Sequence, residues 1–329
     1  MKLFGEKKLT SIVVATTLLT VGLQAGVSTD LAYPSGKVSD GKTVMNNVYF
    51  VNHFFAFKNY SIEKVRRTIT VIVKKSEGRK PLTETVERYL NNDYAGDANV
   101  RSRDLAIFRG GKMRGTGMLI TDFKDDAKSQ EYLLWLPALR KVRRFAQPAH
   151  DDAWGGTDFT FGDVTLRKPS NETHELMGTQ KLGMDLKSLV IPAGQKTSLT
   201  KHLPAGTNDF ADRDVYKVKS TTKFSDWWYD YRITYVDTKT FADYHTEYYK
   251  GGQQIKFLDK NWKNMEGATD KRALRWYTWY GKDLRTNHES LAYIPKKVTK
   301  HDQNHFRVGK KKYTPKTLWQ ASTLKKIKR

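Results

Sequence analysis

The chain of 329 residues contains no cysteine. That absence excludes disulfides, thiolate metal sites, a cysteine nucleophile and lipid modification of an N-terminal cysteine. It does not by itself assign a redox compartment. Catalytic signatures are missing too: there is no G-x-S-x-G elbow, H-E-x-x-H, P-loop or G-x-G-x-x-G. The Ser-x-x-Lys matches at Ser61 and Ser322 are loose enough to arise by chance. His150-Asp151-Asp152 crowds three donors into one polar loop, poor geometry for a single ion, and reads as a solvated loop. No pair of carboxylates stands out for glycoside hydrolysis. The expectation is a protein that is not an enzyme and carries neither cofactor nor metal. Acidic residues are also scarce: 35 Asp and Glu face 58 Lys and Arg, a formal net charge of +23.

Beyond residue 23 no apolar run is long enough to cross a membrane as a helix. At the N-terminus, Lys2, Lys7 and Lys8 precede an apolar, threonine-containing stretch over 9–23. A basic segment before a short apolar one is the pattern of a secretory signal peptide, with cleavage expected near Ala25. The alternative, a retained anchor, is disfavoured because the stretch is short and threonine-rich. Export to the periplasm is therefore expected. Removing the segment lowers the net charge only to +21. Such a field favours anionic partners. Inside a cell nucleic acid would come first; for an exported chain no nucleic acid is expected. The anions are then an anionic membrane surface, lipopolysaccharide phosphates or acidic glycans. Basic clusters at 140–144, 310–312 and 325–329 carry this reading beyond a merely solvated surface.

The chain holds 8 Trp, 17 Tyr and 15 Phe within a modest hydrophobic fraction of 38%, so the core is expected to be aromatic-rich. Val44, Val48, Val51 and Phe55 fall near helical spacing and predict one helix over 41–57, with His53 as a packed or solvent-facing residue. Strands are expected over 66–74, 82–90, 105–108, 116–121, 132–145, 159–166, 214–220, 227–236, 241–249, 254–258, 272–280 and 291–295. Residues 171–195 read as an insertion or lid. Short strands joined by turns suggest an antiparallel meander. The division expected is 1–25 signal peptide, 26–60 linker and helix, and 61–329 a β domain ending in a basic tail.

Residues 132–163 are the most informative stretch. Tyr132-Leu133-Leu134-Trp135-Leu136 is a buried-strand run that Pro137 interrupts. Val142 and Phe145 then alternate with Arg140, Lys141, Arg143 and Arg144. After a polar loop come Trp154 and paired glycines suited to a tight turn. Phe159 and Phe161 are expected on one face of a strand, with Asp158 and Thr160 on the other. The segments L-W-L-P-A-L-R-K-V-R-R and G-G-T-D-F-T-F-G-D resemble the outer-membrane lipoprotein-sorting (LolA-like) family of periplasmic proteins. Pro137, Gly156, Asp158, Phe159 and Asp163 fit its pattern. Thr157, Phe161 and Gly162 depart from its usual Ser, Tyr and acidic residue.

Patterning alone implies a mainly β (α+β) fold: a strongly curved antiparallel sheet of many strands with one or two helices on its concave side. The resemblance implies the same, a half-open β-barrel closed by helices, with a cavity for acyl chains. Residue patterns do not separate a cavity from a filled aromatic core, and by themselves favour the filled core. The leading expectation is a periplasmic carrier of a lipid or of lipoprotein acyl chains between envelope membranes. Trp135, Phe159 and Phe161 are candidate wall residues, or simply core. Arg140, Arg143 and Arg144 are candidates for meeting a headgroup at the rim; their other role is pairing with Asp158 or Asp163. Trp154 is a gate or a plug. Two further hypotheses stand beside the carrier. One is an accessory subunit of an inner-membrane exporter of the resistance-nodulation-division type. The other is a secreted enzyme or binding protein for an anionic envelope polymer.

Overall fold

A computed structural model describes residues 38–65, 69–92, 96–295 and 298–326. The expected signal peptide and the start of the strand expected over 66–74 lie outside these residues.

The first element is α1 (Gly41–Asn52), whose N-terminus is capped by the Asp40 carboxylate accepting from the Thr43 amide at 2.7 Å. Val44, Met45, Val48 and Val51 are buried on one side of the helix. The helix stops five residues short of the expected Phe57. Phe54 adopts a positive φ of 56° there, and the Asn92 side-chain amide donates to the carbonyls of His53, Phe54 and Phe57, so the chain turns instead of continuing.

Strands follow in chain order: β1 (Asn59–Ile62), β2 (Thr70–Lys75), β3 (Leu82–Asn91), β4 (Val100–Gly110), β5 (Gly117–Phe123), β6 (Glu131–Leu136) and β7 (Lys141–Phe145). After a long crossing come β8 (Glu172–Lys181), β9 (Asp214–Thr222), β10 (Tyr231–Asp237), β11 (Asp243–Lys250), β12 (Gln253–Asn264), β13 (Leu274–Asp283) and β14 (Glu289–Tyr293). The C-terminal part adds β15 (Thr299–His301), β16 (Phe306–Val308), β17 (Lys311–Tyr313) and a short α2 (Ala321–Leu324).

Fifteen of these strands form one antiparallel sheet in the order β7-β6-β5-β4-β3-β2-β14-β13-β12-β11-β10-β9-β8, with β1 and β15 paired beside β3. Two meanders therefore meet at the β2–β14 pair. The ends of this path, β7 and β8, do not pair with each other, so the sheet is open and curved rather than a closed barrel. This is the fold class the sequence leads one to expect. Among the described residues, no helix is long and apolar enough to cross a membrane.

Alternation sorts the side chains between two covered faces. Tyr132 and Leu134 of β6 join the inner core, whereas Leu133 and Trp135 join an outer cluster with Trp319, Phe306 and Leu324. α1 covers the inner face over β8 and β9. The outer face is covered twice. Leu189 and Ile191 pack on Val71, Val73, Phe257 and Leu291, so the segment read as an insertion or lid is β8 followed by a strap. The C-terminal segment, which the sequence presents as a basic tail, folds across β3 to β6, and α2 packs there on β5 and β6.

Candidate ligand site

Residues 146–171 join the two edge strands, and this crossing runs through the inner face. The sequence predicts a strand over 159–166; the structure has a turn followed by a π-helical turn at Gly162–Leu166. The cause is local. The Asp163 carboxylate accepts from the Thr160 amide at 3.0 Å and the Thr160 hydroxyl accepts from the Asp163 amide at 3.1 Å. That reciprocal pair is a capping box. Gly162 fits the departure from the family pattern noted above: a Cβ there would lie 2.8 Å from the Trp228 ring and 2.9 Å from the His150 carbonyl. Gly156 has φ 72°, which favours glycine, and the Lys74 ammonium donates to the Gly155 carbonyl at 2.8 Å.

Two carboxylates fasten the crossing to the sheet. Asp158 accepts from Ser290 of β14 at 2.6 Å and contacts His288 Nδ1 at 2.7 Å. That contact raises the His288 pKa. The Asp163 side chain is fully buried and meets Lys256 at 2.6 Å, Arg167 at 2.9 Å and the Tyr248 hydroxyl at 2.6 Å. Burial would raise its pKa, but Lys256 and Arg167 outweigh that and hold it well below the usual carboxylate range.

Behind the crossing lies a mostly apolar pocket, which the Arg88–Asp104 ion pair also lines. Its sheet wall includes Ile62, Ile72, Val86, Met118, Trp276 and Trp279; its other wall is Trp154, Phe159, Val164 and Thr165 from the crossing. Phe159 is 1% exposed and packs 4.9 Å from the Trp279 ring. The free space is about 50 Å³, while a water's share of liquid volume is about 30 Å³. The interior is thus nearly filled by the crossing's own aromatic side chains.

An open cleft of about 610 Å³ lies at the mouth, between α1 and the start of β8. Lys42, Asn46 and Tyr49 of α1 line one side; Arg101, Lys124 and Asp126 another; Lys168, Glu172, His174 and Lys223 are on a third. Lys168 is only 8% exposed and binds both oxygens of Asp122 at 3.0 and 3.1 Å. Burial would lower its pKa, yet nearby Tyr49 and Asp122 raise it on balance, so it stays charged. Beneath the cleft, the Glu172 carboxylate accepts both Nε and Nη2 of Arg232, which against the cost of burial holds its pKa at about 2.

Of the residues singled out from sequence, Trp154 and Phe159 line the pocket, and Phe161 packs edge-on to Tyr132 in the inner core at 6.2 Å. Trp135 is placed on the outer face, because residues one apart on β6 point to opposite sides. Pro137 sits in the β6–β7 turn, where the Leu139 amide donates to the Leu136 carbonyl at 3.1 Å. Arg140, Arg143 and Arg144 are exposed on or beside edge strand β7. They line neither pocket nor cleft and do not pair with Asp158 or Asp163, which have other partners. Arg144 instead pairs with Glu131 at 2.8 Å. The expected long strand over 227–236 begins only at Tyr231; before it, Trp227 and Trp228 form an aromatic turn with rings 5.2 Å apart. Sequence reading missed Lys42, Arg101, Lys168, Lys223 and Lys256, which come from separate elements and share no spacing. Thr160-x-x-Asp163 was legible as a helix-start signal.

A comparison with curated proteins finds no match. Among the solved structures that share the fold are the following two. One is a DUF1329 family protein from Desulfovibrio piger, 14% identical, covering 80% of this chain and 94% of that one, with a TM-score of 0.58. The other is a putative outer membrane lipoprotein-sorting protein domain from Vibrio parahaemolyticus, 13% identical, covering 87% and 98%, with a TM-score of 0.60. A family model described as "uncharacterized protein" matches residues 102–306, more than half of the chain, from β4 to the start of β16. On that match and this architecture, the chain belongs to the DUF1329-like family, and its fold is the one those two solved structures share.

Proposed function

We propose that the protein is a non-enzymatic periplasmic carrier that holds the acyl part of a lipid or lipoprotein on the inner face of its open sheet, and that residues 153–166 are the plug it displaces. The observation that carries this is the mostly apolar pocket, one wall of which belongs to a single crossing segment. The shared fold and the exposed ends of the sheet support it. Energetics allow the exchange. Exposing Phe159 and Phe161 costs roughly 1.5–3 kcal/mol each, while each buried CH₂ returns roughly 0.8 kcal/mol, so about four to eight methylenes offset the loss of these two rings.

Absence of cysteine makes the test clean, because an introduced pair has no competitor. Asp158→Cys with Ser290→Cys replaces two side chains in contact at 2.6 Å. Oxidised, this variant should take up no lipid from vesicles in detergent-free native mass spectrometry, and reduction should restore uptake. Equal uptake in both states would remove the plug from the mechanism. Uptake by neither the variant nor the unmodified protein would remove the carrier reading.

Exposed strand β7, with Leu139 and Phe145 about half exposed among arginines, favours a second reading as an accessory subunit of a resistance-nodulation-division exporter. An edge of this kind can add a partner strand. Copurification with a membrane permease that Arg143→Glu abolishes would support it.

A further inference from the structure

We propose that the cleft between α1 and the start of β8 is a binding site for a phosphoryl group, and that its lipid form, which rests on the carrier reading, is a phosphate-bearing headgroup.

Charge is the first argument. Six cations line or underlie the cleft: Lys42, Arg101, Lys124, Lys168, Lys223 and Arg232. Three carboxylates oppose them, and each is already engaged. Asp122 is held by Lys168 and Arg101, Asp126 by Arg101 at 2.6 Å, and Glu172 by Arg232 at 2.7 Å. Cations therefore outnumber carboxylates around a solvent-filled space. His174 adds none: its ring nitrogens contact Ser220 Oγ and the Pro169 carbonyl, and burial lowers its pKa. A phosphate, with up to two charges and oxygens on all sides, answers that excess better than a singly charged carboxylate.

Geometry is the second. The cations come from separate elements, Arg101 from β4 and Arg232 from β10 among them. Lys42, with Asn46 one turn on, stands on α1; Lys124 follows β5; Lys168 precedes β8; Lys223 follows β9. They line one cleft from several sides rather than forming a patch on a single element. Lys168 is held rigidly at 8% exposure, so part of the site is pre-organised.

Surroundings favour an amphiphile over free phosphate. Phe224, next to Lys223, is 42% exposed and stacks on Trp227 at 5.0 Å. Small voids also lead inward. A space of about 50 Å³ shares Tyr49, Lys168 and Glu172 with the cleft and reaches His53 and Asp163. Another, of about 20 Å³, joins His53 to Arg88, Asp104 and Thr165 of the apolar pocket. A headgroup in the cleft would thus have its chains aimed at the interior.

The test is calorimetric titration of the full mature chain with three probes: inorganic phosphate, dihexanoyl phosphatidic acid and neutral dihexanoylglycerol. It is run on the unmodified protein and on Lys42→Glu/Lys223→Glu, two exposed positions at which the fold, checked by circular dichroism, should persist. Both phosphate probes should bind the unmodified protein, and the double variant should bind them at least tenfold more weakly. Tighter binding of phosphatidic acid than of phosphate assigns the site to lipid headgroups; equal binding assigns it to free phosphoryl compounds. Charge-sensitive phosphate binding without any lipid uptake keeps the site and ends the carrier reading. Lipid uptake indifferent to headgroup charge and to the double variant keeps the carrier and overturns the site, as does equal binding of phosphate to both proteins or binding to neither.

Discussion

Arg232 and Glu172 meet through two hydrogen bonds, at 2.9 and 2.7 Å, with side chains 7% and 0% exposed. Removing one member strands the other in a low-dielectric interior, at a cost of about 3–5 kcal/mol. Arg232→Ala should therefore lower unfolding stability by that amount in urea titration, and Arg232→Met/Glu172→Leu should recover most of it. A single variant that unfolds like the original would show that water reaches the pair. His245 is a titration probe on the other face. It contacts Asp259 at 2.5 Å and Glu247 at 3.4 Å, between the rings of Tyr235 and Phe257. Burial would depress its pKa, but the two carboxylates outweigh burial and raise it to about 9. The protonated form is thus favoured by folding. Its contribution, about 3 kcal/mol from the shift, is complete below pH 6.5 and lost as pH rises through about 9. Urea midpoints of the protein and of His245→Gln should differ most at pH 6 and converge above pH 9.

At the scale of elements, the crossing over 146–171 decides what the sheet can hold. Its shape was partly legible. The paired glycines announced a turn, and Trp154, Phe159 and Phe161 announced burial. Their assignment to a strand failed because Thr160 and Asp163 satisfy each other's backbone amides, and a chain that closes such a box cannot also extend. Gly162 lets this turn pack under Trp228. Gly162→Ala should cost about 1–3 kcal/mol through overpacking and shift tryptophan fluorescence to the red, as Trp228 is pushed toward solvent. Unchanged emission with unchanged stability would mean that the neighbouring loop yields freely. Helix α1 shows the converse. Its start at Gly41 followed from apolar spacing, whereas its end depended on Asn92, forty residues away in sequence.

For the whole molecule, the central fact is an open sheet with both faces covered. The inner face carries α1 and the crossing; the outer face carries the strap after β8 and the C-terminal segment. Trp319 anchors that last segment at 1% exposure, against Phe306 at 5.0 Å. Trp319→Ala should cost about 3–5 kcal/mol, seen as a lower denaturant midpoint; a surface tail would show no change. Most strand positions and the antiparallel meander were determined by the sequence itself, since β-branched and aromatic runs between turn residues need no distant partner to be strands; β8 and the turn over 159–166 were not. The resemblance over 132–163 likewise pointed to the right fold. Which face each run presents, and which charges meet, only the tertiary structure decided. Arg140, Arg143 and Arg144 form a dense basic cluster in sequence yet stay at an edge, while Lys42, Arg101, Lys168 and Lys223, scattered along the chain, gather around one cleft. Curvature brings together residues that no spacing rule connects, because the pairing of distant strands, not local propensity, sets which ends of the sheet lie side by side.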